Sequence, residues 1–220
     1  MNERPNIYVY KMTTDNGGAP CVHRGLLSLA ICKPSIRRRA RVGDVVCGFG
    51  GRRFAKRLIY VARVSAKVEG GKYYANDEFA RRPDCIYRAT SAGLAKLKSN
   101  AQFHNDRSAP QLDHDVGPGF ERADVLLSDD FRYFGANGAT DYQIAHPRIA
   151  ELIDQLGRGH RVNFHPAVEQ DLLKLMEDLW RVFPRKKNGT PSDGDRSRRC
   201  NTGCVIEHKG NKVYDVTSGT

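Results

Sequence analysis

The period of the apolar positions changes once along the chain, near residue 145. Before that point the apolar runs are short and strand-like. Asn6 to Met12 is rich in β-branched and aromatic residues and predicts a first strand. Leu26 to Cys32 is too short for a helix and predicts a buried strand. Pro34 stands where a helix would begin, since its missing N–H costs nothing in a first turn. Ile36 to Arg41 then offers one or two helical turns before Gly43-Asp44 breaks them. Asp44 to Gly51 predicts a second strand, and Leu58 to Val68 alternates as one long third strand. Short helices are expected within Tyr73–Ala80 and Ala92–Ser99, a long polar loop over Ser99–Arg122, and short strands at Val125–Leu127 and Phe131–Phe134. After residue 145 the spacing becomes helical, over Ile149–Leu156 and Ala167–Phe183. Arg185 to Asn201 has almost nothing to bury and is expected to be disordered. A small hairpin could follow around Lys209-Gly210-Asn211.

These elements predict an α+β fold. Its sheet should be curved or barrel-like and mostly antiparallel, with short helices and two C-terminal helices. The expected division is a domain over residues 1–145, a helical extension over 146–184, and a basic, largely disordered tail over 185–220. Within 220 residues there is room for a substantial core. No apolar stretch is long enough to span a membrane. The N-terminus lacks the apolar centre of a signal peptide, and the cysteines read as reduced thiols, so a cytoplasmic protein is expected.

Charge sharpens the picture. The net of +11 is carried by residues 1–72, with 15 Lys/Arg against 4 Asp/Glu, while residues 73–180 are acidic with 12 against 17. From Lys33 to Arg63 there are ten basic residues and a single acid, Asp44. Clustering of one sign points to a phosphate-bearing partner, DNA or a nucleotide. Lys33, Arg37, Arg38, Arg39, Arg52 and Arg53 are the candidates for phosphate contact. Gly48-Phe49-Gly50-Gly51, just before Arg52-Arg53, suggests close backbone approach to a ligand, although plain hairpin geometry also needs such glycines.

Several residues could carry chemistry. Cys32 stands beside Lys33 and Arg37, in a positive field that favours a thiolate. A free cysteine in a strand is more commonly a small buried apolar residue, and the sequence offers no evident histidine–acid partner. Asp44 and Ser128 are the other catalytic candidates. Tyr60, Tyr133 and Phe134 are candidates to stack on a base, with Asp44 as acceptor for a base amino group. His104, Asp106, Asp113, His114 and Asp115 in the long loop could bind a metal, as could Cys200, Cys204 and His208, but neither spacing is diagnostic and no metal site is assigned.

The ordered motifs Ala30-Ile31-Cys32-Lys33-Pro34-Ser35-Ile36-Arg37-Arg38, Val42-Gly43-Asp44-Val45-Val46-Cys47-Gly48, Leu58-Ile59-Tyr60-Val61, Val125-Leu126-Leu127-Ser128 and Phe131-Arg132-Tyr133-Phe134-Gly135 resemble those of the nucleotide modification associated domain family, type 2. The likeness runs over about residues 6 to 140. It implies a role in prokaryotic or phage systems that make or handle modified DNA bases, with other proteins of such a system as further partners. A looser similarity, of fold only, is to PUA-like and EVE-like modified-base readers. The expected function is therefore binding or processing of a nucleotide or DNA base. An enzyme using Cys32, Asp44 or Ser128, and a non-enzymatic nucleic-acid-binding module, both remain open, and no cofactor is implied.

Overall fold

The computed structural model describes residues 4–104, 109–157, 159–193, 204–208 and 212–216. A five-stranded sheet is built from β1 (Ile7–Met12), β4 (Val45–Gly50), β5 (Leu58–Arg63), β10 (Asp130–Tyr133) and β11 (His160–Arg161), in the order β10-β5-β4-β1-β11. Its pairs are antiparallel except β1–β4, which run parallel from Ile7 beside Val45 to Met12 beside Gly50. A four-stranded antiparallel sheet, in the order β2-β3-β9-β6, combines β2 (Cys21–His23), β3 (Leu26–Leu29), β6 (Ala66–Val68) and β9 (Val125–Ser128). The short pair β7 (Tyr87–Ala89) and β8 (Ala95–Leu97) stands apart, and β12 (Cys204–His208) pairs with β13 (Lys212–Val216) as the expected hairpin.

Strand alternation stacks these pieces in layers, because successive side chains leave a strand on opposite faces. On β1, Ile7 and Val9 join Val45, Cys47 and Val61 against the helices α5 (Pro147–Gln155) and α6 (Pro166–Val182), which supply Ile149, Leu152, Leu172 and Met176. Tyr8, Tyr10 and Met12 point the other way, into a core shared with Leu27, Leu29, Ile59, Tyr60 and Leu126 between the two sheets. The outer face of the four-stranded sheet is covered by residues 70–123, through Tyr73, Tyr74, Phe79, Ile86, Tyr87 and Phe120. The result is a mixed α/β architecture, and among the described residues no sheet closes into a barrel.

Four expectations change. The long strand over Leu58–Val68 is two strands, because the chain turns after Arg63 and passes β6 to the second sheet. Residues 95–97 are strand rather than helix, paired to β7. The helices after residue 145 share one core with the N-terminal sheet, so they are a layer of the domain and not an appendage. The start of the tail is docked: Tyr133 N–H donates to the Lys186 carbonyl (2.8 Å), Asn188 N–H to the Tyr133 carbonyl (2.7 Å), and Ala136 N–H to the Thr190 carbonyl (2.8 Å). Residues 185–193 need little apolar surface to order, because a strand edge satisfies their backbone. Among the described residues no helix is long and apolar enough to cross a membrane.

Candidate active site

Between β3 and the helix α1 (Pro34–Arg39) the chain turns through two consecutive left-handed residues, Cys32 at φ 57° and Lys33 at φ 47°. Non-glycine residues in this region cost of the order of 1–3 kcal/mol each and persist only where the surroundings over-determine them. The surroundings here are Asp115 and Arg37. The Cys32 N–H donates to Asp115 Oδ1 (2.7 Å), and Arg37 Nε–H donates to the Cys32 carbonyl (2.7 Å). Arg37 continues to the carbonyls of Asp124 (2.7 Å) and Asp115 (2.5 Å). Its side chain is fully buried. Arg37 is therefore a brace for the turn and has no surface from which to meet a phosphate.

The brace holds a three-residue relay. Cys32 Sγ lies 3.3 Å from His104 Nε2, and His104 Nδ1 lies 2.6 Å from Asp115 Oδ2. Tyr87 Oη donates to the same carboxylate oxygen at 2.9 Å. His104 is also left-handed, at φ 56°, in the segment after β8. Asp115 closes α3 (Ala109–Asp115), inside the region expected to be loop. With Nδ1 turned to the carboxylate, Nε2 is the ring nitrogen that faces the thiol. Burial alone would raise the Asp115 carboxyl, but the charge and hydrogen bond of His104, followed by Arg37, outweigh it and hold Asp115 well below the usual carboxylate range. The aspartate stays ionised and fixes both the tautomer and the ring of His104, which is the division of labour in nucleophile–histidine–acid triads.

The same three side chains come close enough together to surround a cation. Their bonding suits a relay better. Both Asp115 oxygens are engaged, one by the Cys32 amide and the other by His104 and Tyr87. Among the described residues, Cys32, His104 and Asp115 are the group placed in this way. Asp113 pairs with Arg122 at the surface, and Asp106 and Cys200 lie outside the described residues.

A cavity of about 200 Å³ is lined by Asn16, Cys21, Gln102, Phe103, Tyr133 and Lys187 among others, and by none of the three relay residues. Its lining residue Phe103 is the sequence neighbour of His104. Lys187 and Pro191 bring the docked segment 185–193 to its rim. That segment is tied to Asp15, whose carboxylate accepts from Tyr133 Oη (2.7 Å) and from both the N–H and the hydroxyl of Ser192 (2.8 Å each).

The remaining expected site residues separate. Lys33 turns its ammonium over the Tyr10 ring, 4.9 Å from the centroid, and Tyr10 meets Tyr60 hydroxyl to hydroxyl at 3.0 Å. Tyr60 and Tyr133 are both buried in the inter-sheet core, and Tyr133 also lines the cavity. Phe134 packs edge-on against Phe183 in the helix-side core. Asp44 is spent on the chain itself, accepting from the Asn6 N–H (2.8 Å) and the Arg41 N–H (2.9 Å). The Ser128 hydroxyl donates to the Asp130 carbonyl across a turn. Gly48 and Gly50 serve packing rather than a ligand, since a Cβ would meet Tyr60 and Met12 at the first and Phe54 at the second. The basic run itself divides. Arg38 and Arg39 are exposed near the start of β1, while Arg52 and Arg53 lie in a 3-10 turn near its end, with Arg53 paired to Asp193. Six strand residues set these groups roughly 17 Å apart.

The sequence model of nucleotide modification associated domain 2 matches residues 4–197. No curated protein and no solved structure gives a match. The matched span takes in the relay, both sheets, the two C-terminal helices and the docked segment, well past the motifs that end near residue 140.

Proposed function

We propose that this chain, which belongs to the nucleotide modification associated domain 2 family, is a thiol-dependent enzyme acting on a nucleotide or DNA base within a base-modification system. Cys32 is the nucleophile, His104 its base, and Asp115 the residue that orients His104. The observation carrying this reading is the continuous chain of contacts from Cys32 Sγ through the two ring nitrogens of His104 to Asp115. It is strengthened by a strained turn that presents the cysteine, since strain of this kind collects at functional sites.

In the proposed cycle His104 Nε2 takes the Cys32 proton and the thiolate attacks an electrophilic carbon of the substrate. The carbon's bond to the leaving group breaks, and that group departs with the proton from His104. Water or an amine, deprotonated by the same nitrogen, then displaces the sulfur and restores the thiol. The cavity lined by Phe103 is below the roughly 300–1,000 Å³ of drug-sized sites, which suits one base or a small group. Tyr133 and Phe103 supply its aromatic wall, and Asn16 and Gln102 its polar edges.

The test is the nucleoside composition of DNA from cells carrying the complete modification system. Mass spectrometry should show the modified nucleoside lost when Cys32→Ala or His104→Ala replaces the wild type at equal expression. Unchanged modification with Cys32→Ala would overturn the proposal.

A further inference from the structure

The docked segment 185–193 supplies part of a cavity wall. Lys187 lies beside Tyr133 in a parallel bridge, and both Lys187 and Pro191 line the cavity of about 200 Å³. The approach is close. A Cβ at Gly189 would strike the Phe134 carbonyl, and one at Gly135 would strike the Thr190 carbonyl. The segment therefore lies against the end of β10 at a distance that only glycine permits. Across the cavity, the Pro191 ring comes within 3.1 Å of where a Cβ on Gly17 would stand.

Charge at this cavity is simple. Among the described residues Lys187 is the only charged residue that lines it, and no described carboxylate pairs with its ammonium. Lys187 is exposed. Three acids stand within two residues of the lining, and each is engaged. Asp15, 1% exposed, gives one oxygen to the Tyr133 hydroxyl (2.7 Å) and the other to the Ser192 hydroxyl (2.8 Å). Asp193 pairs with Arg53, and Asp84 pairs with Arg82 (3.5 Å). Burial and the Asp84 carboxylate push the Cys21 thiol well above its ordinary range, so Cys21 lines the cavity as a neutral group. The rest of the lining is apolar or amide, with Phe103, Pro83 and Pro191 among the first and Asn16 and Gln102 as the second.

Such a site suits a planar heterocycle that carries one anionic group. Apolar walls and two amides take the ring and its edges. A lysine, as a compact point charge, takes one phosphate. A nucleoside triphosphate is met by a lysine together with metal ions or further cations. A base still joined to DNA brings phosphates on both sides, which a row of cations follows. One ammonium matches neither.

We propose that the cavity binds a free nucleoside 5′-monophosphate, with its base between the walls and its phosphate at Lys187, and that segment 185–193 is the wall that closes on it. The inference rests on the reading of the cavity as a base site and not on the chemistry of Cys32. Binding and docking are then linked. Bound ligand stabilises the docked segment, and displacing the segment lowers affinity in proportion to the docked fraction lost.

The experiment is a calorimetric titration of the full chain with the four deoxynucleoside 5′-monophosphates and the four matching nucleosides. At least one monophosphate should bind, and at least ~tenfold more tightly than its nucleoside, the size of one charge-assisted hydrogen bond. Lys187→Gln should bring that monophosphate down to its nucleoside and leave the nucleoside unchanged. Gly189→Ala keeps every lining side chain but bars the segment from β10, and it should weaken both ligands at least ~tenfold. Should that variant fold poorly, the wild type carries the same test, because saturating monophosphate should slow trypsin at Lys186 and Lys187. Equal affinity for monophosphate and nucleoside would overturn the inference and leave the base site standing. Binding of neither would remove the base site as well. A short single-stranded oligonucleotide that binds more tightly than every monophosphate would also overturn it, as would affinity indifferent to Gly189→Ala in the folded protein. None of these results touches the mass-spectrometric test of Cys32, which reads modified DNA.

Discussion

Asp115 gives one carboxylate oxygen to the Cys32 amide and the other to His104 and Tyr87, so a single side chain holds the Cys32 backbone, the His104 ring and the Tyr87 hydroxyl. Replacing it with Asn removes the charge and forces an amide N–H toward one of these donors. Asp115→Asn should cost about 3–5 kcal/mol, the range for breaking a buried ion pair from one side. Its pH dependence follows from the depressed folded value. The stabilising contribution is complete above the unfolded carboxyl value of about 3.9 and is lost as pH falls through the lower folded value. Acid unfolding followed by circular dichroism should therefore show a steep loss below about pH 4 in the wild type and a shallower one in Asp115→Asn. Equal acid sensitivity in the two would mean that Asp115 is not ionised in the folded protein.

At the scale of elements, the segment 185–193 shows how a polar stretch can be ordered without a core. It is held by backbone bonds to Tyr133 and Ala136 and by the Asp15 carboxylate, and Asp193 returns a bond to the Asp15 N–H (2.9 Å). Trypsin should cut slowly at Arg185, Lys186 and Lys187 in the wild type and much faster in Asp15→Ala, with fragments read by mass spectrometry. Equal rates would show that Asp15 does not anchor the segment. Composition cannot report such docking, because it depends on one buried acid 170 residues away. The same limit runs through the site. Pro34 at the helix start, the strands at both ends of the Lys33–Arg63 run and the two C-terminal helices follow from local pattern and are legible. Cys32 is legible as a thiol in a positive field. Its partners are not, because His104 and Asp115 sit in a stretch whose polarity reads as loop and are brought to Cys32 only by packing of Tyr73, Tyr74 and Phe120 on the second sheet. Arg37 misleads for a related reason: among four arginines between residues 37 and 41, only the fold reveals which one faces inward.

On the scale of the whole molecule, the layers sort the positive charge by place. The sheet between the helices and the second sheet keeps Arg52 and Arg53 away from Arg38 and Arg39, while the relay lies where β3, α1 and the covering layer meet. The protein's other described cysteines provide an internal comparison for the thiol at that junction. Burial pushes Cys47 up to about 12, Cys21 well above the ordinary thiol range, and Cys85 upward. None of the three has a histidine beside it among the described contacts. The most direct measurement is iodoacetamide labelling of the native protein at neutral pH, followed by peptide mass spectrometry. Of Cys21, Cys32, Cys47 and Cys85, Cys32 should label first, and His104→Ala should slow it at least ~tenfold, because the thiolate and not the thiol reacts. Labelling of Cys32 as slow as that of Cys47, and indifferent to His104, would contradict the account.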